Sequence, residues 1–322
     1  MDEQEQSRWQ ANTRGTPAYV WIGGGFVLVL VLILVGYHYK ITLWDWAKLL
    51  FVPAVLALGG YLFTRSENHR TQKIADQRAQ DDRDLANDRR QDEALQAYLD
   101  QMSQLLTDKE RPLRRTQQGD NLSVVARART LTVLQKLGPD HKRSTLHFLY
   151  ESGLITRELV VSLVDADLSG AELSGAVLRE AYLVGASLVG ANLSRAYLVG
   201  AYMSGTNLSG SNLSEANLSE AYLGGANVRA ASLRGTYLSR ADLSGADLSE
   251  AYLGEADLSE AYLSGTNLSR ANFSGANFSG AYLNKAVGAS GEQLEHASLL
   301  KGTTMPNGQK YEDWLNAREN RG

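Results

Sequence analysis

Residues 166–195 read ADLSG AELSG AVLRE AYLVG ASLVG ANLSR, and the same five-residue unit runs without insertion or deletion to AYLNK at 281–285. The first residue of the unit is nearly always Ala, with Thr206, Thr236, Thr266 and Ser211 as small substitutes. The third is nearly always Leu, relaxed only to Met203, Val228, Phe273 and Phe278. The second, fourth and fifth positions vary and are mostly polar or Gly. A period of five suits neither a lone helix nor a flat strand. Fixed short periods mark solenoids, in which each unit buries its apolar side against its neighbours. Two side chains of every five therefore point in and three point out.

If four units close one turn, the coil repeats at twenty, and residues twenty apart stack roughly 4.8 Å apart, the parallel-strand spacing. The charges agree with that length. Arg195 falls over Glu215, Glu220 over Arg240, Arg240 over Glu260 and Glu250 over Arg270. Exposed pairs of this kind are worth under about 1 kcal/mol each, so they mark register and do not supply stability.

The motif A-(D/N/Y)-L-x-x in uninterrupted tandem resembles the pentapeptide-repeat family. The resemblance implies a mainly β fold, a right-handed quadrilateral β-helix whose central Leu or Phe and the small residue two before it face inward. It implies function only weakly.

Sorting the units by fours gives four faces, and one differs from the rest. Its second positions are Tyr182, Tyr202, Tyr222, Asp242, Tyr262 and Tyr282, and its fifth positions are Gly185, Gly205, Gly225, Gly245, Gly265 and then Lys285. A tyrosine column thus runs beside a glycine column almost without charge. One reading is structural: stacked tyrosines stabilise neighbouring coils and Gly serves the bend at a corner. The other is functional: a flat aromatic face docks a protein partner or a second copy of the chain.

N-terminal to the repeat, residues 121–165 are expected to form a helical cap over the open coil, whose unpaired edge would otherwise invite stacking. One helix is expected over Asn121–Leu137 and another, capped by Asp140, through Tyr150. Residues 64–120 form a charged stalk, helical from Thr64 to Glu110 and ended by Pro112. Leu95, Leu99, Met102 and Leu106 recur at the spacing of a short coiled-coil seam. That stripe serves either self-association or docking on the next domain.

Residues 18–63 are expected to be a two-helix transmembrane hairpin. Ala18–Tyr39 carries no formal charge and is long enough to span, with tyrosines and Trp21 near its ends. Ala47–Phe63 is shorter and holds Pro53, which a membrane helix tolerates. Asp45 and Lys48 read as an interfacial pair, the alternative being an ion pathway. Arg65, Arg70, Lys73 and Arg78 follow the second span, so the positive-inside rule puts the N-terminus and the β-helix in the cytoplasm. Residues 1–17 form a polar tail. A cleaved signal peptide fits poorly, because the leading region is acidic and a second apolar run follows.

C-terminal to the repeat, the period fails at Gly288, where a Leu should stand, and residues 286–322 are expected to form a cap and tail. Ser290 with Gln293 resembles a capping box, Met305-Pro306-Asn307-Gly308 a turn or hairpin, and Tyr311–Asn316 a final helix.

The chain holds no cysteine, and its five histidines show no pair at helical ligand spacing. No catalytic set, phosphate loop or metal cluster is legible, so neither an enzyme nor a cofactor is expected. A net charge of −4 argues against nucleic acid as a partner. The resemblance also brings a second possibility, since some family members are DNA mimics that bind topoisomerase through an acidic surface. The repeat here has eleven acidic and seven basic residues, interleaved, which falls short of a phosphate-like stripe. The expected role is a membrane-anchored interaction platform with an unknown protein partner, possible self-association through the stalk or the Tyr/Gly face, or else a transport accessory built on the hairpin.

Overall fold

The computed structural model describes residues 43–156, 160–289 and 294–319. The chain divides into two compact units, 1–83 and 84–322. The elements below are α1 (Leu43–Thr107), α2 (Asn121–Leu134), α3 (Pro139–Glu151), the repeat, and α4 (Tyr311–Glu319).

In the repeat, every bridge joins second positions twenty residues apart, from Asp167 to Ser187 through Asn267 to Val287. Four units therefore make one coil. Each unit contributes one bridged residue to a parallel ladder. The backbone N–H groups of one unit show why five residues suffice. In the unit 206–210, the first N–H closes a tight turn onto Met203 O (3.1 Å) and the second reaches back to Ala186 O (2.9 Å). The third and fifth reach forward to Asn227 O (2.7 Å) and Arg229 O (3.0 Å). The fourth, on Ser209, donates to Oδ1 of Asn207 at 3.1 Å. All five donors are satisfied. An Asx side chain at the second position thus replaces a missing backbone partner.

The first and third positions are buried from Ala166 and Leu168 to Ala281 and Leu283, with Ala176 alone among them half-buried. Thr and Ser are tolerated among the alanines because their hydroxyls find carbonyls. Thr206, Thr236 and Thr266 donate to Leu183 O, Leu213 O and Leu243 O at 3.0, 2.8 and 2.9 Å, and Ser211 to Leu208 O at 2.7 Å.

The first coil is covered by α2, α3 and the segment after them. Pro139 O and Ile155 O accept the N–H groups of Glu172 (3.3 Å) and Tyr182 (3.4 Å), which have no preceding coil. Arg127 donates to Val164 O at 2.9 Å, and the buried Lys142 to Ser169 O at 2.9 Å. The helix α3 starts at Pro139, with Gly138 at the cap position in place of Asp140, which lies in the first turn. The Gly138 N–H donates to Gln91 Oε1 at 2.6 Å, so α1 supplies what an Asp cap would not.

The stripe on distal α1 packs within this unit. Met102 is fully buried, and Leu95, Leu99 and Leu106 lie against the same core. Between them Tyr98 is buried, its hydroxyl 2.9 Å from Thr130 Oγ1 and its ring edge-on to Phe148. Burial pushes the Tyr98 phenol up to about 12, against the smaller opposing effect of the Thr130 hydrogen bond. The helix ends at Thr107, before Glu110. Asp108 Oδ1 accepts the N–H groups of Glu110 (2.8 Å) and Arg111 (3.0 Å), an arrangement that turns the chain.

In the N-terminal unit, α1 runs from the first described residue, Leu43, unbroken past Phe63 with Pro53 inside it, so the expected boundary at 63/64 is no break. The expected span 18–39 lies outside the described residues. Among the described residues no helix is long and apolar enough to cross a membrane, and the expected two-helix transmembrane hairpin is not supported.

At the C-terminal end the ladder outlasts the sequence period. Leu299 bridges Asn277 and Thr304 bridges Tyr282, now at a spacing of twenty-two. Ser298–Gly302 and Thr303–Asn307 are two further units in disguise, with Leu300, Thr303 and Met305 buried in the core positions. At Gly288, where the period breaks, a Cβ would come within 2.4 Å of the Ser269 backbone, so a side chain does not fit there. A hairpin follows, closed by an antiparallel bridge between Thr304 and Lys310, and α4 runs to Glu319, beyond the expected Asn316. Residues Ser290–Gln293, the expected capping box, lie outside the described residues.

Candidate partner-docking face

The twenty-residue register places the second-position tyrosines directly above one another. Tyr182 bridges Tyr202, Tyr202 bridges Tyr222, Tyr222 bridges Asp242, Asp242 bridges Tyr262, and Tyr262 bridges Tyr282. The rings stack. Tyr182 and Tyr202 have centroids 4.1 Å apart at 21°, Tyr202 and Tyr222 4.9 Å apart at 6°, and Tyr262 and Tyr282 5.2 Å apart at 7°. Other outward tyrosines, such as Tyr197, Tyr237 and Tyr252, bridge Asn, Asp, Ser or Val neighbours and have no ring to stack on. Tyr222, Tyr262 and Tyr282 remain 41–50% exposed, so stacking leaves much of each ring in contact with water.

The glycine column has a backbone cause. Gly185, Gly205, Gly225, Gly245 and Gly265 all have φ between 65° and 69°. The fifth positions of the other faces adopt the same left-handed conformation with long side chains, among them Glu215 (φ 60°), Arg240 (φ 58°) and Glu260 (φ 58°). Gly is thus the unstrained choice at a corner that every unit must make. A Cβ at Gly205, Gly225, Gly245 or Gly265 would meet nothing within 4 Å, whereas one at Gly185 would meet Asp165 Oδ1 at 2.5 Å. Four of these five corners are open space, as are Gly170, Gly175, Gly190 and Gly210 on other faces; what sets this column apart is that five of its six corners are Gly. Lys285, the sixth, is also left-handed, at φ 58°.

Several of the remaining corners carry ion pairs. Arg195 meets Glu215 at 2.9 Å, Arg240 meets Glu260 at 2.8 Å, and Arg270 lies 3.6 Å from Glu250, each at the spacing of twenty. Glu220 only adds to the field on Arg240, whose pKa is raised chiefly by the hydrogen bond to Glu260. Two further pairs run at twenty-one, Arg229 to Glu250 at 2.9 Å and Arg234 to Glu255 at 3.0 Å. These join a fourth position to the fifth position of the next coil, a diagonal that reading down fifth-position columns misses.

Two features of the tyrosine face left no periodic signal. The hairpin returns Lys310 to the end of the ladder, with Nζ 5.7 Å from the Tyr282 ring centroid. At mid-ladder, Asp242 opens a recess of about 440 Å³ lined by Glu220, Ala221, Tyr222, Arg240, Asp242, Ser244 and Tyr262. Among the described residues no group of His, Cys, Asp or Glu is placed to hold a metal ion.

Residues 162–287 match a family model described as pentapeptide repeats, in overlapping stretches 162–198, 191–229, 221–259 and 251–287. No curated protein matches. Among solved structures, HetL of the cyanobacterium Nostoc sp. strain PCC 7120, a pentapeptide repeat protein involved in heterocyst differentiation regulation, is 33% identical. That match covers 46% of this chain and 75% of HetL, with a TM-score of 0.19. A pentapeptide repeat protein of the Arabidopsis thaliana thylakoid lumen is 25% identical over 46% of this chain and 90% of its own, with a TM-score of 0.28. QnrB1, a plasmid-mediated fluoroquinolone resistance protein, is 21% identical over 49% of this chain and 86% of its own, with a TM-score of 0.28. Scores this low carry no comparison of shape.

Proposed function

Because the chain belongs, through residues 162–287, to the pentapeptide-repeat family, we propose that it works without chemistry of its own, as an interaction platform. In this reading the β-helix docks a protein partner on its tyrosine face and is tethered to a membrane on the cytoplasmic side. The observation that carries the docking is the stacked ladder from Tyr182 to Tyr282, interrupted at Asp242 and exposed at Tyr222, Tyr262 and Tyr282, with glycine corners along one of its edges from Gly185 to Gly265. Aromatic rings presented on a rigid support bring large contact area at little cost in side-chain entropy.

The tether draws on two observations. Residues 18–39 carry no charge and are long enough to span a bilayer. Within α1, Phe51, Leu56, Leu58, Tyr61, Leu62 and Phe63 are 54–70% exposed, an apolar band on several sides of one helix, which suits lipid better than water. The basic residues that follow, Arg65, Arg70, Lys73 and Arg78, favour the cytoplasmic side.

Crosslinking in the native membrane tests the platform. Tyr202→Ser with Tyr222→Ser is expected to remove a specific crosslinked species while leaving the melting temperature within a few degrees of wild type. A large loss of stability with unchanged crosslinks would assign the ladder to folding alone.

A further inference from the structure

The tyrosine ladder is missing one rung. Tyr222 and Tyr262 are two coils apart, which places their rings roughly 9.6 Å from each other by the parallel-strand spacing. Asp242 stands between them, and its short side chain leaves the recess described above. A flat group at the middle of that gap would lie about 4.8 Å from both ring centroids. That is within the roughly 6 Å at which a cation is attracted to an aromatic face.

The floor of the recess selects for positive charge. Asp242 Oδ1 accepts the Ser244 N–H at 2.9 Å, the same turn bond that Asn makes in other units. Asp247 and Asp257 each also receive an Asn amide from the next coil, at 3.0 and 2.9 Å. Asp242 has tyrosines on both sides and gains no such donor. Glu220 adds a second carboxylate to the lining. The one cation there, Arg240, is committed to Glu260 at 2.8 Å. The same ladder already holds a cation at its end, where Lys310 lies over Tyr282.

We propose that the gap between Tyr222 and Tyr262 is a receptor slot for one arginine side chain of a protein partner, its guanidinium sandwiched by the two rings and paired with Asp242. A planar guanidinium fills a gap one ring thick and offers a carboxylate two parallel donors; a lysine ammonium does neither. The proposal rests on the docking-face reading and names the group that reading requires the partner to present.

The test titrates full-length protein in detergent micelles with N-acetyl-argininamide, followed by saturation-transfer NMR on the ligand. N-acetyl-lysinamide and the neutral N-acetyl-citrullinamide serve as controls. Wild type is expected to transfer saturation to the arginine side chain at least five-fold more strongly than to either control. Asp242→Asn keeps the Ser244 turn bond and is expected to lose that preference. Asp242→Tyr, which completes the ladder, is expected to abolish binding. Equal transfer to arginine and citrulline, or wild-type transfer in a folded Asp242→Asn variant, overturns the slot. Crosslinking in the native membrane separates the two readings. Loss of the crosslinked species in the Tyr202→Ser, Tyr222→Ser protein but not in Asp242→Asn sinks the slot and leaves the platform standing. No change in either variant sinks the platform, while the argininamide titration still decides the chemistry of the slot.

Discussion

At the scale of single residues, the fifth position is where sequence and backbone disagree most. Every unit needs a left-handed residue there, yet Ala230 adopts φ 54° and many of its counterparts are Glu or Arg. A non-glycine residue in this conformation costs about 1 kcal/mol or somewhat more. Ala230→Gly is therefore expected to gain about 1 kcal/mol in chemical denaturation. Gly225→Ala, at φ 66° with open space around the new methyl, should lose about as much without changing the fold. Leu218 is the opposite case. It is fully buried mid-column, so Leu218→Lys forfeits about 1.5–3 kcal/mol of apolar burial and adds the larger cost of an unpaired buried charge. It is expected to leave no cooperative melting transition by circular dichroism.

The inward positions were legible in the sequence because burial is a binary property and Ala and Leu declare it. The role of the second position was less so. Its Asn and Asp residues read as ordinary solvated groups, and only the folded coil brings each one to the fourth-position N–H it accepts. Among elements, this accounting makes the ladder sensitive to acid. Hydrogen bonds from the Ser169 backbone N–H hold the Asp167 carboxyl below its ordinary value. Glu172 is lowered by Ser174 and Asn192. At Asp247, burial pushes upward but is outweighed by Ser249, Arg229 and Asn267. A carboxyl depressed in the folded state contributes stability that is complete above its unfolded pKa and lost as pH falls through the folded one. The melting temperature is expected to be level above about pH 5 and to fall below about pH 4. Replacing Asp167 and Asp247 by Asn, which keeps the turn bonds, should flatten that fall.

The C-terminal units show how an element hides. Ser298–Asn307 keeps the bridging of the repeat, with Leu300, Thr303 and Met305 buried, but arrives two residues late, after a detour that begins at Gly288. Its composition, S-L-L-K-G and T-T-M-P-N, has no leading Ala and only one Leu at the third position. Backbone pairing does not require that signature when a neighbouring coil supplies the template. The distal stripe of α1 was ambiguous for a different reason. A seam that packs on its own chain and one that packs on a second copy have the same spacing, and only the contacts of Tyr98 and Met102 with the cap separate them.

For the whole molecule, the fold class was readable because one short period fixes both core and register. The function was not, because a solenoid leaves most of its outward positions free of folding constraints. What the charge distribution does favour is negative evidence against mimicry of DNA. The corner carboxylates are interleaved with arginines and several are paired to them. Purified protein is expected to leave gyrase supercoiling unchanged at concentrations where an acidic DNA mimic would block it. Inhibition at stoichiometric concentration would shift the reading from a docked platform to a topoisomerase ligand.

The closure of each coil after four units has one more consequence, for how such a chain can change length. Inserting twenty residues lifts everything downstream by one storey and leaves each side chain on its own wall. Inserting five turns everything downstream by a quarter and moves the tyrosines onto another wall. Height and azimuth are thus separate settings, each adjustable by its own unit of sequence. The two extra residues before Leu299 match neither, and they are absorbed in the detour so that Thr304 still lands on the wall of Tyr282.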